Sequence, residues 1–118
     1  MPRFAMTMLI AAVTLAGAVA AVHPAHPPNV EATQEAVVSM QGNRYVPEEI
    51  AVAAGATVTW VNDDYESGEW HDAIDEAGAF FFDSVPPGEA FSFTFDVPGT
   101  YVYYCDLHEG MFGRVIVQ

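Results

Sequence analysis

Tyr101-Val-Tyr-Tyr-Cys-Asp-Leu-His-Glu-Gly-Met-Phe-Gly-Arg-Val-Ile-Val-Gln118 holds the only cysteine of the chain, Cys105. His108 and Met111 follow it at successive spacings of three, in a short glycine-containing loop between two strand-like runs. Thiolate, imidazole and thioether are soft donors, and a His₂Cys plane with a weak axial Met is the donor set that suits copper and moves one electron. That set needs a second histidine. His71 is the best candidate, because it is the only histidine upstream of the loop that lies within the strand-patterned part of the chain. The expected metal residues are therefore His71, Cys105, His108 and Met111.

Upstream of the loop, Pro98-Gly99 turns the chain into Thr100 to Tyr104. Counting by two from Cys105 puts Tyr103 and Tyr101 on its face and Tyr104 on the other. Glu89 to Asp96 is the clearest strand, with Phe91, Phe93 and Phe95 on one face and Ala90, Ser92 and Thr94 on the other. An aromatic stripe at that spacing is core. Phe80 to Phe82 precedes a Pro86-Pro87-Gly88 turn. Earlier strand runs cover Ala36 to Met40, Glu49 to Ala53 and Ala56 to Val61, punctuated by Gly42, Pro47 and Gly55. In the third of these, Val58 and Trp60 oppose Thr57 and Thr59, the alternation of a half-buried strand. Asp63 to Glu69 is polar, with Gly68 and four carboxylates, and reads as a loop leading to Trp70-His71. No repeat or helical period emerges downstream of residue 20. Short strands bounded by Gly and Pro turns predict an all-β antiparallel sandwich.

The C-x-x-H-x-x-M loop, with Pro98-Gly-Thr-Tyr-Val-Tyr-Tyr before it and Phe112-Gly-Arg-Val-Ile-Val after it, resembles the blue-copper cupredoxins of the plastocyanin/amicyanin family. Tyr45-Val-Pro47 and Gly55-Ala-Thr-Val-Thr-Trp-Val-Asn62 are similar too, so the resemblance spans about Ala36 to Gln118. It implies a Greek-key β-sandwich of about eight strands, with one type 1 copper ion cycling between Cu(I) and Cu(II) at one end. It also implies a soluble one-electron carrier, with the ring edge of His108 surfacing through an apolar patch as the electron exit. Tyr104 would be a second exit by the same likeness, or an ordinary exposed strand tyrosine. Two departures stand out. The gap from Asn62 to His71 is longer than the family's, and the residue after the histidine is Asp72, where Asn or Thr is common and braces the ligand loops by hydrogen bonding.

Length and composition set the outer bounds. One domain is expected from 118 residues. Arg3, the apolar run Met6 to Ala16 and Ala18-Val19-Ala20 read as a signal peptide over residues 1–20, hence a periplasmic or otherwise exported protein. The alternative is an uncleaved anchor, although the apolar run is shorter than the ~20 residues a span needs. Residues 21–34 carry three prolines and read as a flexible linker in which His23 and His26 are solvated, or bind metal weakly, and the cupredoxin-like domain takes 35–118. A lone cysteine in an oxidising compartment is a liability unless a metal occupies it; otherwise it is a buried, inert thiol.

Sixteen acidic residues face three arginines and no lysine. Without the leader and its Arg3 the balance becomes 2 − 16 = −14. Nucleic acid and anionic membranes are poor partners for such a chain. Redox proteins with a basic docking surface are the natural ones, unless the acidity serves solubility alone, and a monomer is expected.

Other chemistries are open to the same residues. Copper delivery or storage uses the same ligands, but exchanges the ion. A cysteine-nucleophile enzyme would need a Cys–His pair in a cleft and leaves Met111 without a role. Zinc has little use for a thioether. A carrier, not an enzyme, is the expected function.

Overall fold

A computed structural model gives the structure of residues 33–118. The expected leader, His23, His26 and all but the end of the proline-rich segment lie outside the described residues. Eight strands follow in order: β1 (Thr33–Gln41), β2 (Arg44–Val46), β3 (Glu49–Asn62), β4 (His71–Asp75), β5 (Phe81–Val85), β6 (Ala90–Phe95), β7 (Gly99–Tyr104) and β8 (Phe112–Val117). The all-β Greek-key sandwich expected from the sequence is the fold, and no helix occurs among the described residues. β1 opens at Thr33, ahead of the run expected from Ala36. The short strands β2 and β4 do not stand out in the pattern.

β3 organises both layers. Its first part, Glu49 to Val52, pairs with β8, and the layer continues through β7 and β4 to β5. Its second part, Ala56 to Val61, pairs with β6 on one side and β1 on the other, with β2 at the far edge. Between the two parts lies Gly55 at φ +90°, a conformation that side-chain-bearing residues rarely adopt. The sequence reading takes Gly55 as a boundary between two strands. Instead one long strand bends there and passes from one layer to the other. The sheet is also mixed: β1 and β8 both run parallel to β3, while the remaining pairs are antiparallel. β2 reverses the chain after β1, so β1 and β3 come to point the same way.

Alternation along β3 builds the core. Val58 and Trp60 are buried, while Thr57 and Thr59 face out and bond across the pleat to Thr94 (2.9 Å) and Ser92 (2.7 Å) on β6. Trp60 is fully buried at the centre, stacked on Phe91 at 5.2 Å between ring centroids and touching Phe80 at 5.2 Å and Tyr103 at 5.4 Å. Removing roughly 200 Å² of tryptophan from water contributes about 5 kcal/mol. The β6 stripe is core as expected: Phe95 is buried, and Phe91 and Phe93 pack against the cluster.

Tyr103 anchors the end of β7. It pairs with Gly113 on β8, and a Cβ at Gly113 would run into the Tyr103 ring. Only glycine lets the ring lie flat against the neighbouring strand. Two residues further on, on the face that counting by two gives it, lies Cys105, which is buried.

Candidate metal centre

Just beyond β7 the chain leaves the ladder in a closed loop. The Cys105 N–H donates to the Met111 carbonyl at 3.0 Å, and the Met111 N–H donates to the His108 carbonyl at 3.4 Å. The loop therefore returns to its starting point, with His108 between. Cys105 Sγ lies 3.4 Å from His108 Nδ1 and accepts the Asp72 N–H at 3.3 Å. Met111 is buried.

His71 arrives from elsewhere, as the first residue of β4, and is fully buried. Its Nε2 is 2.5 Å from a carboxylate oxygen of Asp64. A carboxylate accepts, so that nitrogen carries the hydrogen and Nδ1 keeps a free lone pair. Nδ1 is buried and has no partner in the protein. An orphaned buried acceptor costs about 1–3 kcal/mol unless something meets it. A ligand atom each from His71, Cys105 and His108 lies within 4.8 Å of the other two, so a cation among them would satisfy that nitrogen. Two imidazoles and a thiolate are soft donors, and the residues fit copper.

Asp64 is itself held in place. The Gly42 N–H, in the β1–β2 turn, reaches its two carboxylate oxygens at 3.1 and 3.2 Å, and its own N–H donates to Asn62 Oδ1 at 2.9 Å. Asn62 is fully buried and also donates Nδ2 to the carbonyls of Glu69 (2.8 Å) and Val85 (2.9 Å). One side chain thus ties the 63–70 loop to β3 and β5. Glu69, at the far end of that loop, sets Oε2 3.1 Å from His108 Nε2. Asp64, Glu69 and Asn62 escape sequence reasoning, because four carboxylates in a glycine-containing loop read as a solvated turn. The usable signal was the loop's unusual length.

Electrostatics follow from these contacts. Burial works against charge on Asp64, but the His71 hydrogen bond, the Gly42 N–H and the two histidines outweigh it and hold the carboxyl below its ordinary range. Burial pushes the Cys105 thiol up, and the N–H groups of Asp72, Leu107 and His108 only partly oppose it. The thiol therefore keeps its proton until a metal displaces it, so metal uptake releases protons.

Asp72 departs from the common Asn or Thr without leaving the loops unbraced. Its main-chain N–H serves the cysteine sulfur, its carboxylate accepts the Ser84 N–H at 2.9 Å, and its carbonyl accepts the Tyr45 hydroxyl at 2.5 Å. The bracing needs an acceptor in the side chain, and Asp supplies one. Tyr104 lies on the opposite face of β7 from Cys105, half-buried beside Phe112 at 6.4 Å between ring centroids.

A Greek-key sandwich that gathers buried Cys105 and His71 with partly exposed His108 is the frame of a cupredoxin. The family described as copper binding proteins, plastocyanin/azurin family, matches residues 32–118, and the chain belongs to it. A chloroplastic plastocyanin from Physcomitrium patens is 35% identical over 101 residues, covering 69% of this chain and 55% of the plastocyanin. An amicyanin from Paracoccus versutus is 32% identical over 84 residues, covering 70% of this chain and 64% of that protein. The chain thus spans less than two thirds of the length of these relatives. Among solved structures, an oxidised amicyanin variant superposes with a TM-score of 0.64 at 31% identity, covering 70% of this chain and 80% of that one. A copper-containing nitrite reductase from Thermus scotoductus gives 0.64 at 33% identity, covering 71% of this chain but 22% of the reductase. Copper is the cofactor of the family, and the His71, Cys105 and His108 cluster is a donor set of that kind.

Proposed function

We propose that this chain is a one-electron carrier and not an enzyme, with His71 Nδ1, Cys105 Sγ, His108 Nδ1 and Met111 Sδ holding one copper ion. The observation that carries this reading is the buried, unpartnered His71 Nδ1 beside the Cys105 thiol and the His108 ring. Copper supplies the one-electron couple when bound. The protein supplies a frame: Asp64 keeps the hydrogen on His71 Nε2 so that Nδ1 faces the cluster, and the Asp72 N–H stabilises negative charge on sulfur. Each donor is fixed to a strand end or a closed loop, which keeps rearrangement between oxidation states small. Four protein donors leave no open position for a substrate.

The electron leaves past His108, whose side chain is 13% exposed while His71 is sealed. Redox proteins with a basic surface are the partners that the acidic composition supports, and the carrier works as a monomer. Residues 1–20 act as an export signal, ahead of a proline-rich linker to residue 34 and the domain from 35, and the mature protein resides in the periplasm or an equivalent compartment. No helix among the described residues is long and apolar enough to cross a membrane.

Adding Cu(II) to the purified protein tests the reading. An intense blue band that disappears in Cys105→Ser is the expected result. Copper bound without that band in the unaltered protein refutes it.

A further inference from the structure

The 63–70 loop ends against the other histidine. Glu69 is anchored from behind, its carbonyl accepting Asn62 Nδ2 at 2.8 Å, and its side chain reaches forward to place Oε2 3.1 Å from His108 Nε2. The carboxylate is 53% exposed, whereas the imidazole it meets is 13% exposed. Trp70 and Leu107, the sequence neighbours of this pair, are each about half exposed. The Nε2 edge of His108 is thus met by a negative charge. We infer that Glu69 is a positioning residue for His108 and the charge that selects the electron-transfer partner, a protein presenting an Arg or Lys opposite the His108 edge. This rests on the carrier reading, with His108 as the exit.

Two physical effects follow. The carboxylate accepts the hydrogen bond from the His108 Nε2–H, which fixes the ring with Nδ1 toward Cys105 Sγ and makes the imidazole a stronger donor. A unit negative charge acting across one imidazole ring, with the screening of a half-exposed side chain, favours the oxidised state by about three- to tenfold. The same charge stands where another protein must touch. Two copies of this chain meeting edge to edge bring two Glu69 carboxylates together, which slows exchange of an electron from a reduced copy to an oxidised one by about two- to fivefold at low salt. A partner with a cation at that point is favoured instead, and a neutral apolar face leaves the carboxylate desolvated without a counter-charge.

Glu69→Gln tests both effects, since Gln keeps the shape and an oxygen that accepts from Nε2 while removing the charge. Copper-loaded protein is compared with Glu69→Gln and with Glu109→Gln, an exposed carboxylate beside His108 in sequence. The midpoint potential is measured by redox titration, and self-exchange by NMR line broadening across ionic strength. The expected result for Glu69→Gln is a potential raised by the equivalent of a three- to tenfold shift, tenfold being about 59 mV for one electron. Self-exchange should also be faster, with a flatter salt dependence, and Glu109→Gln should move both readouts less. The inference is overturned if either readout in Glu69→Gln matches that of Glu109→Gln or of the unaltered protein. An unaltered protein that takes up copper but exchanges no electrons overturns the carrier reading instead.

Discussion

Replacing Asn62 with Ala should uncouple the metal end of the sandwich from its frame. Asn62 is fully buried, and its side chain makes three hydrogen bonds: Nδ2 to the Glu69 and Val85 carbonyls, and Oδ1 from the Asp64 N–H. The strand bonds of its main chain, from its N–H to the Glu89 carbonyl and from the Gly88 N–H to its own carbonyl, remain in the variant. Each lost bond removes about 1 kcal/mol net, and the Val85 carbonyl, enclosed on all sides, adds a further 1 kcal/mol or so for lost solvation. The Glu69 carbonyl lies nearer water and adds less. The sum is about 4–5 kcal/mol, a large part of the ~5–15 kcal/mol that stabilises a domain of this size. Urea denaturation of the metal-free protein measures it, and a drop in midpoint at unchanged slope is the expected form. In a thermal scan the same loss lowers Tm by roughly 16–40 °C. A loss below about 1 kcal/mol would refute the view that this side chain carries the loop.

Gly113→Ala drives a methyl into the Tyr103 ring and should cost about 2–3 kcal/mol, read from the same urea curves. At alkaline pH the folded state should resist ionisation of Tyr45 and Tyr103, because burial pushes both hydroxyls up, Tyr103 to about 12. A raised folded value means that this stability is complete below the unfolded value near pH 10 and is lost as pH rises through the folded ones. Absorbance at 295 nm should therefore show these two tyrosines ionising only as the fold is lost, and all five titrating near pH 10 in folded protein would contradict this. Met111→Leu should keep the blue band while raising the midpoint potential, as a weaker axial donor stabilises Cu(II) less. Loss of the band in that variant would mean that the thioether is no mere axial contact.

Much of this was legible in the sequence because it depends on neighbours along the chain. Alternation in Ala56 to Val61 and Glu89 to Asp96 gives both faces of the core, and the Cys105, His108 and Met111 spacing lies within one loop. His71 follows by elimination. What the sequence hid depends on contacts across space. Gly55 is a bend and not an end, which no local pattern distinguishes, and the parallel pairings of β3 follow from where that bend sends the chain. The acidic loop hid its function for a related reason: Asp64 and Glu69 look like any solvated carboxylates until the fold brings them to the two histidines. Asp72 illustrates the reverse, since its main-chain N–H, common to almost every residue type, makes the contact with sulfur.

The passage of β3 from one layer into the other ties the two faces of the sandwich by a covalent thread. They cannot slide or peel apart by breaking side-chain contacts alone, because any separation must first strip hydrogen bonds from one half of the strand. The layer holding Cys105 and His71 and the layer built on β6 should therefore lose amide protection together in hydrogen exchange. A carrier of the kind proposed, meeting one protein after another, would keep its donor spacing through each encounter, because the surface that is pressed and the proposed ligands behind it belong to one mechanical unit.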